Sequence, residues 1–155
     1  MKDFSIHKSS DSLDVESKAM LDKAKEMIPH AYAPYSHFRV SAVVMLEDGT
    51  LVTGTNQENA AYPSGICAER LAVFTANHQY PNKKIKKIVI IAQRTGETEL
   101  APAASCGGCR QVLLEAENRQ GKAFEIIMHT HHNEWVVAPS AASLLPFGFT
   151  KQNLH

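Results

Sequence analysis

Net charge is what this chain most lacks: its 155 residues carry 16 Lys and Arg against 16 Asp and Glu. With no overall positive field to attract a polyanionic backbone, a nucleic acid is not an expected partner. Long apolar runs are missing too. The opening residues, MKDFSIHKSSDSLDVESK, are polar and unlike a secretory signal, and no later run is long enough to span a bilayer. The chain is therefore expected to be cytoplasmic, with no membrane partner. Cysteine is scarce, three residues in all. An odd count with two members in a Cys-x-x-Cys favours metal or redox chemistry over a disulfide framework. Neither a repeat nor a linker divides the sequence, and a chain of this length can bury a single core without staples.

What is present is concentrated around those cysteines. Cys67-Ala-Glu69 and Cys106-Gly-Gly-Cys109 supply three soft ligands and one carboxylate. Three thiolates suit zinc, which is usually four-coordinate, and the lack of an obvious fourth ligand leaves a position for water. An open site of that kind is catalytic, and Glu69, two residues from a ligand, is placed to handle protons. The pattern points to hydrolysis.

The elements around these motifs can be read from periodicity. Residues 1–14 show little pattern and are expected to be a loose leader, with one domain over 15–155. Val15 to about His30 carries Ala19, Met20, Ala24, Met27 and Ile28 at helical spacing, ended by Pro29. Phe38 to Leu46 and Leu51 to Thr55 flank the turn Glu47-Asp48-Gly49-Thr50 and predict a hairpin. A helix is predicted from Cys67 to about Asn77, a strand buried on both faces from Lys84 to Ala92, and a second helix from Cys106 to about Asn118, stopped by Gly121. Phe124 to Met128 and Trp135 to Ala138 read as short strands, and a tail starts near Leu144. This order favours an α/β fold, a mixed sheet covered by helices.

A helix N-terminus favours negative charge, so cysteines that open helices lose their protons more readily and become better ligands. Three thiolates with Zn²⁺ leave a formal charge of about −1, which weakens the metal as a Lewis acid. Arg70 and Arg110, each next to a ligand, are candidates to offset this by hydrogen-bonding the sulfurs, with Arg70 preferred.

At this point the chain resembles the cytidine deaminases, in their small three-cysteine class. The resemblance rests on Ala33-Pro-Tyr-Ser-His-Phe-Arg-Val40, Gly54-Thr-Asn-Gln-Glu-Asn-Ala60, Tyr62-Pro-Ser-Gly-Ile-Cys-Ala-Glu-Arg70, Cys106-Gly-Gly-Cys-Arg-Gln111 and Leu144-Leu-Pro-Phe-Gly-Phe149. It implies a three-layer α/β/α sandwich with a mixed five-stranded sheet. It also implies one Zn²⁺ per subunit on Cys67, Cys106 and Cys109, and Glu69 as proton carrier. Asn56 and Glu58 would hold a ribose 3′-hydroxyl, Phe38 would pack on the pyrimidine, and backbone groups near Ala68 would read its amide edge. Tyr62 and Phe149 would serve across subunit boundaries, and Gln111 would support the zinc shell. The implied substrates are the small nucleosides cytidine and 2′-deoxycytidine, deaminated in pyrimidine salvage. The implied assembly is a homotetramer with sites at its interfaces.

Two positions depart from the family pattern. Ser105 stands where proline usually precedes the Cys-x-x-Cys, which loosens that loop, and Ser41 stands where glycine is usual, adding bulk near the pocket. His129, His131 and His132 are expected to lie in a solvated loop, and Lys83, Lys84, Lys86 and Lys87 to form a solvated strand entrance. Competing readings are a deaminase of another nucleoside, such as blasticidin S, and a zinc-stabilised binding module without turnover.

Overall fold

The computed structural model describes residues 3–154. A run that is apolar at every position has to be covered from both sides, and the fold is arranged around that requirement. The central strand β4 (Ile85–Arg94) is flanked by β2 (Phe38–Leu46) and β5 (Glu125–His129). With β3 (Leu51–Thr55), β6 (Trp135–Ala138) and β1 (Ser5–His7) they form one sheet of six strands, in the order β1-β6-β5-β4-β2-β3. Only β4 and β5 run parallel; the other pairs are antiparallel. Alternation sends Val43, Met45, Val89, Ile91 and Ile127 to one face, under helix α1 (Val15–Met27) with its Met20, Leu21 and Ala24. Ala42, Val44, Ile88, Ile90 and Ile126 go to the other face, under α2 (Ala68–Gln79) and α3 (Gly107–Gln120). The architecture is the expected α/β/α sandwich, with a sixth strand.

That sixth strand comes from the residues expected to be a loose leader. Ser5–His7 pairs with Trp135–Val137 of β6, and Asp14 caps α1 by accepting the Ser17 N–H at 2.8 Å. Three mostly exposed residues are too short to show a period, so their pairing had no sequence signal. Met1 and Lys2 of that stretch, and His155, lie outside the described residues.

The two ligand-bearing helices begin one residue later than predicted, because Cys67 and Cys106 are N-cap residues with extended backbone. Helix α1 gives way at Met27 to a 3₁₀ turn over Ile28–His30, where Pro29 removes a backbone donor. The tail expected from Leu144 is preceded by a short helix, α4 (Ala141–Leu144), capped by the Ser140 hydroxyl. Its first N–H groups also donate to Glu117 of α3, whose buried carboxylate accepts from Ala141 at 2.7 Å and Ala142 at 3.3 Å. Sequence spacing gave no hint of that contact, which joins residues 24 apart.

The lysine entrance is only partly solvated. Lys87 is buried, with Nζ 2.8 Å from Asp14, 3.3 Å from Glu16 and 3.6 Å from Glu125. The expected histidine loop also divides. His131 and His132 are exposed, but His129 ends β5, is buried against Trp135 with ring centroids 5.0 Å apart, and bonds Asn133 at 2.8 Å. Ser41 shares the face of Val43 and Met45, so its side chain points toward α1 and away from the pocket lined by Phe38 and Val40. Its buried hydroxyl has no hydrogen-bond partner among the described residues.

Candidate active site

The N-termini of α2 and α3 meet over β2 and β4, whose Phe38, Val40 and Ile90 line the space between them. Gly54 of β3 lies so close beneath α2 that a Cβ on it would fall 2.5 Å from the Ala68 carbonyl oxygen and the Ala72 nitrogen. Only glycine lets the helix start settle at that depth. The sulfurs of Cys67, Cys106 and Cys109 then lie within 4.8 Å of one another, with Cys106 and Cys109 3.5 Å apart. Among the described residues no other group of His, Cys, Asp or Glu gathers three metal-ligating atoms in this way.

The surroundings of the sulfurs fit a bound cation. N–H groups of Cys109 and Gly108 hydrogen-bond the Cys106 sulfur and hold its thiol below the usual range. Burial, with the Glu69 carboxylate adding to it, pushes the Cys109 thiol far up. A divalent ion reverses that penalty, since thiolate ligation and proton release are coupled. Arg70 donates from Nη2 to Cys67 Sγ at 3.3 Å, as expected of the preferred arginine. Arg110 does something else: its guanidinium donates to the Ser105 carbonyl at 2.9 Å and the Leu144 carbonyl at 3.1 Å, fastening the loop before α3 to α4. Three soft donors with a cationic neighbour and no fourth protein ligand among the described residues match an open zinc site.

Cys67, Arg70, Cys106 and Cys109 line a cavity of about 550 Å³, with Cys109 buried, Cys67 half-buried and Cys106 exposed. Glu69, 6% exposed, lies in its wall and accepts a hydrogen bond from the Ser105 hydroxyl at 2.9 Å. Phe38, Asn56, Glu58, Tyr62 and Ala68 line the same cavity. Tyr62 stands at its exposed rim, edge-on to Tyr35 with centroids 6.0 Å apart. Asn56 is anchored to β2, its Oδ1 accepting the Val40 N–H at 2.8 Å and its Nδ2 donating to the Phe38 carbonyl at 2.9 Å. Glu58 Oε2 accepts the Tyr35 and Ser36 N–H groups at 2.9 and 3.3 Å. Burial opposes its ionisation, but the Ser36 hydroxyl, these N–H groups and the His37 charge outweigh it and lower its pKa. His37, with φ of 54°, turns the chain in the left-handed region just before Phe38.

Two expected site residues are not part of this cavity. Gln111 donates to the Phe149 carbonyl at 2.7 Å, so its amide ties α3 to the tail instead of supporting the sulfurs. Phe149 is exposed and outside the cavity wall. Conversely, Tyr35, Ile90 and Ala103 line the cavity, and Ser105 touches Glu69, without having been singled out as site residues. A hydroxyl one residue before a ligand was the available signal for the last of these.

Comparison with known proteins agrees with this geometry. Residues 15–123 match the family described as "Cytidine and deoxycytidylate deaminase zinc-binding region". A cytidine deaminase of Sporosarcina psychrophila is 35% identical over 142 residues, covering 92% of this chain and 96% of the relative. A probable cytidine deaminase of Dictyostelium discoideum is 31% identical over 90% of this chain and 87% of its own length. The crystal structure of cytidine deaminase from Burkholderia pseudomallei superposes with a TM-score of 0.70 at 34% identity, covering 84% of this chain and 97% of that one.

Proposed function

This chain belongs to the cytidine and deoxycytidylate deaminase family, and from that premise we propose how its own residues divide the work of the reaction. The reaction is hydrolytic: cytidine and water give uridine and ammonia. Zinc is the cofactor, and Cys67, Cys106 and Cys109 would hold it. When bound, it supplies a Lewis acid that brings the pKa of water from about 15.7 toward about 7.

Glu69 is the proton carrier in this reading. Its Oε1 is taken by Ser105, and Oε2, with no protein partner among the described residues, is left to the substrate. That oxygen takes a proton from the attacking water and gives it to the N3 ring nitrogen as the C4–O bond forms, then takes the proton of the new C4 hydroxyl and gives it to the amine as the C4–N bond breaks and the C4 carbonyl of uridine forms. Asn56 and Glu58 keep unused capacity after holding the backbone: one N–H on Asn56 Nδ2, and Glu58 Oε1. Together they can donate to and accept from one sugar hydroxyl. The Ala68 N–H, at the start of α2, lacks an intrahelical acceptor and suits the pyrimidine carbonyl. Phe38 supplies the apolar wall for the ring.

The observation that carries this reading is the meeting of the three sulfurs and Glu69 with the Asn56/Glu58 pair in one cavity. A sugar clamp that takes a free 3′-hydroxyl favours a nucleoside over a polymer, and 2′-deoxycytidine meets the same requirement. Loss of cytidine absorbance on mixing, run beside 2′-deoxycytidine, free cytosine and blasticidin S, tests it. Turnover of both nucleosides but not of cytosine is expected, and preference for blasticidin S would replace this substrate reading with another.

The proposal extends to a homotetramer acting in pyrimidine salvage in the cytoplasm. Exposed Tyr62, Phe74, Phe147 and Phe149 are a large apolar investment for a monomer, and supply surface for association. Light scattering after size exclusion should give four chains; a monomer at assay concentration would remove the proposed cross-subunit roles of Tyr62 and Phe149.

A further inference from the structure

The geometry points to Ser105 as a positioning residue for Glu69, one that fixes which carboxylate oxygen faces the substrate. The inference rests on Glu69 being the proton carrier. Ser105 is 3% exposed and does not line the cavity; it stands behind Glu69 with its hydroxyl 2.9 Å from Oε1. A glutamate has three side-chain torsions, and a buried carboxylate with neither oxygen engaged would spread over several orientations. The hydroxyl removes that freedom by occupying Oε1, which leaves Oε2 as the oxygen that exchanges protons.

Ser105 is itself held in place. Its carbonyl accepts from Arg110 Nε at 2.9 Å, and the same guanidinium donates to the Leu144 carbonyl at 3.1 Å. The orientation of Glu69 is thus carried back, through Ser105 and Arg110, to the C-terminal end of α4. Ser105 keeps its own proton throughout. It neither gives one to the substrate nor takes one, so the proton balance of the reaction is that of Glu69 and water alone.

A residue of this kind has a recognisable kinetic effect. Loss of orientation lowers the rate of proton transfer in the bound complex and leaves nucleoside affinity largely unchanged, so kcat falls more than KM rises. The expected size is that of a hydrogen bond to a charged group, about tenfold in kcat.

The test uses the full chain and reads zinc content and thermal unfolding alongside kcat and KM for cytidine, in Ser105→Ala, Ser105→Thr, Glu69→Gln and the Glu69→Gln/Ser105→Ala pair. Ser105→Ala should lose about tenfold in kcat with KM within about threefold, and keep its zinc. Ser105→Thr, which retains the hydroxyl, should recover most of the loss; it carries the test if the alanine variant folds poorly, since a threonine variant that keeps zinc but is as slow would overturn the proposal. In the Glu69→Gln background, adding Ser105→Ala should cost little more, because the carboxylate through which Ser105 acts is already gone. Wild-type kcat in Ser105→Ala, the same tenfold loss in the Glu69→Gln background, or loss of zinc in step with loss of activity would each overturn it. Wild-type turnover by Glu69→Gln would instead remove the proton-carrier reading, and this inference with it.

Discussion

Replacing Glu117 with alanine should weaken the whole fold, although the residue lies outside the cavity, farther along α3 than Cys109. Its carboxylate is buried and accepts three N–H groups: Ala141 at 2.7 Å, Ala142 at 3.3 Å and Phe124 at 3.3 Å. The short bond to a carboxylate oxygen belongs to the strong class, worth about 2 kcal/mol net. The two longer ones are weaker, and about 0.5 kcal/mol each is a fair share. Removing the acceptor loses all three bonds, so the total cost should be about 3 kcal/mol. For a domain of this length that lowers Tm by roughly 6–12 °C. Trp135 is the only tryptophan and is buried under α1, so urea unfolding followed by its fluorescence reports the global transition. The midpoint should fall with little change in slope. Glu117→Gln keeps one oxygen acceptor and should lose only about 1 kcal/mol. An alanine variant within about 0.5 kcal/mol of wild type would show that these three contacts contribute little net energy and that α4 is held by other means.

Other perturbations separate structure from chemistry. Burial opposes the ionisation of Asp14, but the Lys87 hydrogen bond, the Ser17 N–H and hydroxyl and the Lys87 charge together outweigh it and lower its pKa to about 2. A carboxylate depressed in the folded state contributes stability above its unfolded value of 3.8, and that contribution disappears as pH falls through about 2. Lys87→Met should therefore destabilise at pH 7, by about 1–2 kcal/mol since the three carboxylates keep solvent contact, and the difference from wild type should narrow below the unfolded value of 3.8 and close below about pH 2. A methionine variant as stable as wild type at pH 7 would mean that desolvation of the ammonium cancels its ion pairs. Ser41→Ala removes a buried hydroxyl with no partner, and should raise stability by about 1 kcal/mol while leaving cytidine turnover unchanged. A loss of stability would show that the hydroxyl is satisfied in solution, and a change in KM would show that this position reaches the pocket.

How far the chain could be read in advance depends on how local each signal is. Cys67, Glu69, Cys106 and Cys109 sit in two short motifs, and the structure brings those four into one cavity wall. The run Ile88–Ile91 announced a doubly covered strand for an equally local reason, since every residue in it is apolar. Lys87 shows the opposite case. Its type says surface, and its burial is possible because the fold gathers Glu16, Glu125 and Asp14, the last 73 positions earlier, around its ammonium. Strand β1 and helix α4 are too short to carry a period, and each depends on a distant partner: β6 for one, Glu117 for the other. Ser105 was visible as a departure from a family pattern, but its partner Glu69 lies 36 positions away, and only the fold brings them together.

The most direct test of the central claim is the turnover of cytidine by Glu69→Gln, with zinc counted in the same preparation. Glutamine preserves the size of the side chain and its hydrogen bond to Ser105 but cannot carry a proton. With Glu69 as the carrier, the variant should keep one zinc per chain and lose about 10²–10⁴-fold in kcat. A zinc-loaded Glu69→Gln enzyme that deaminates cytidine at the wild-type rate would contradict it.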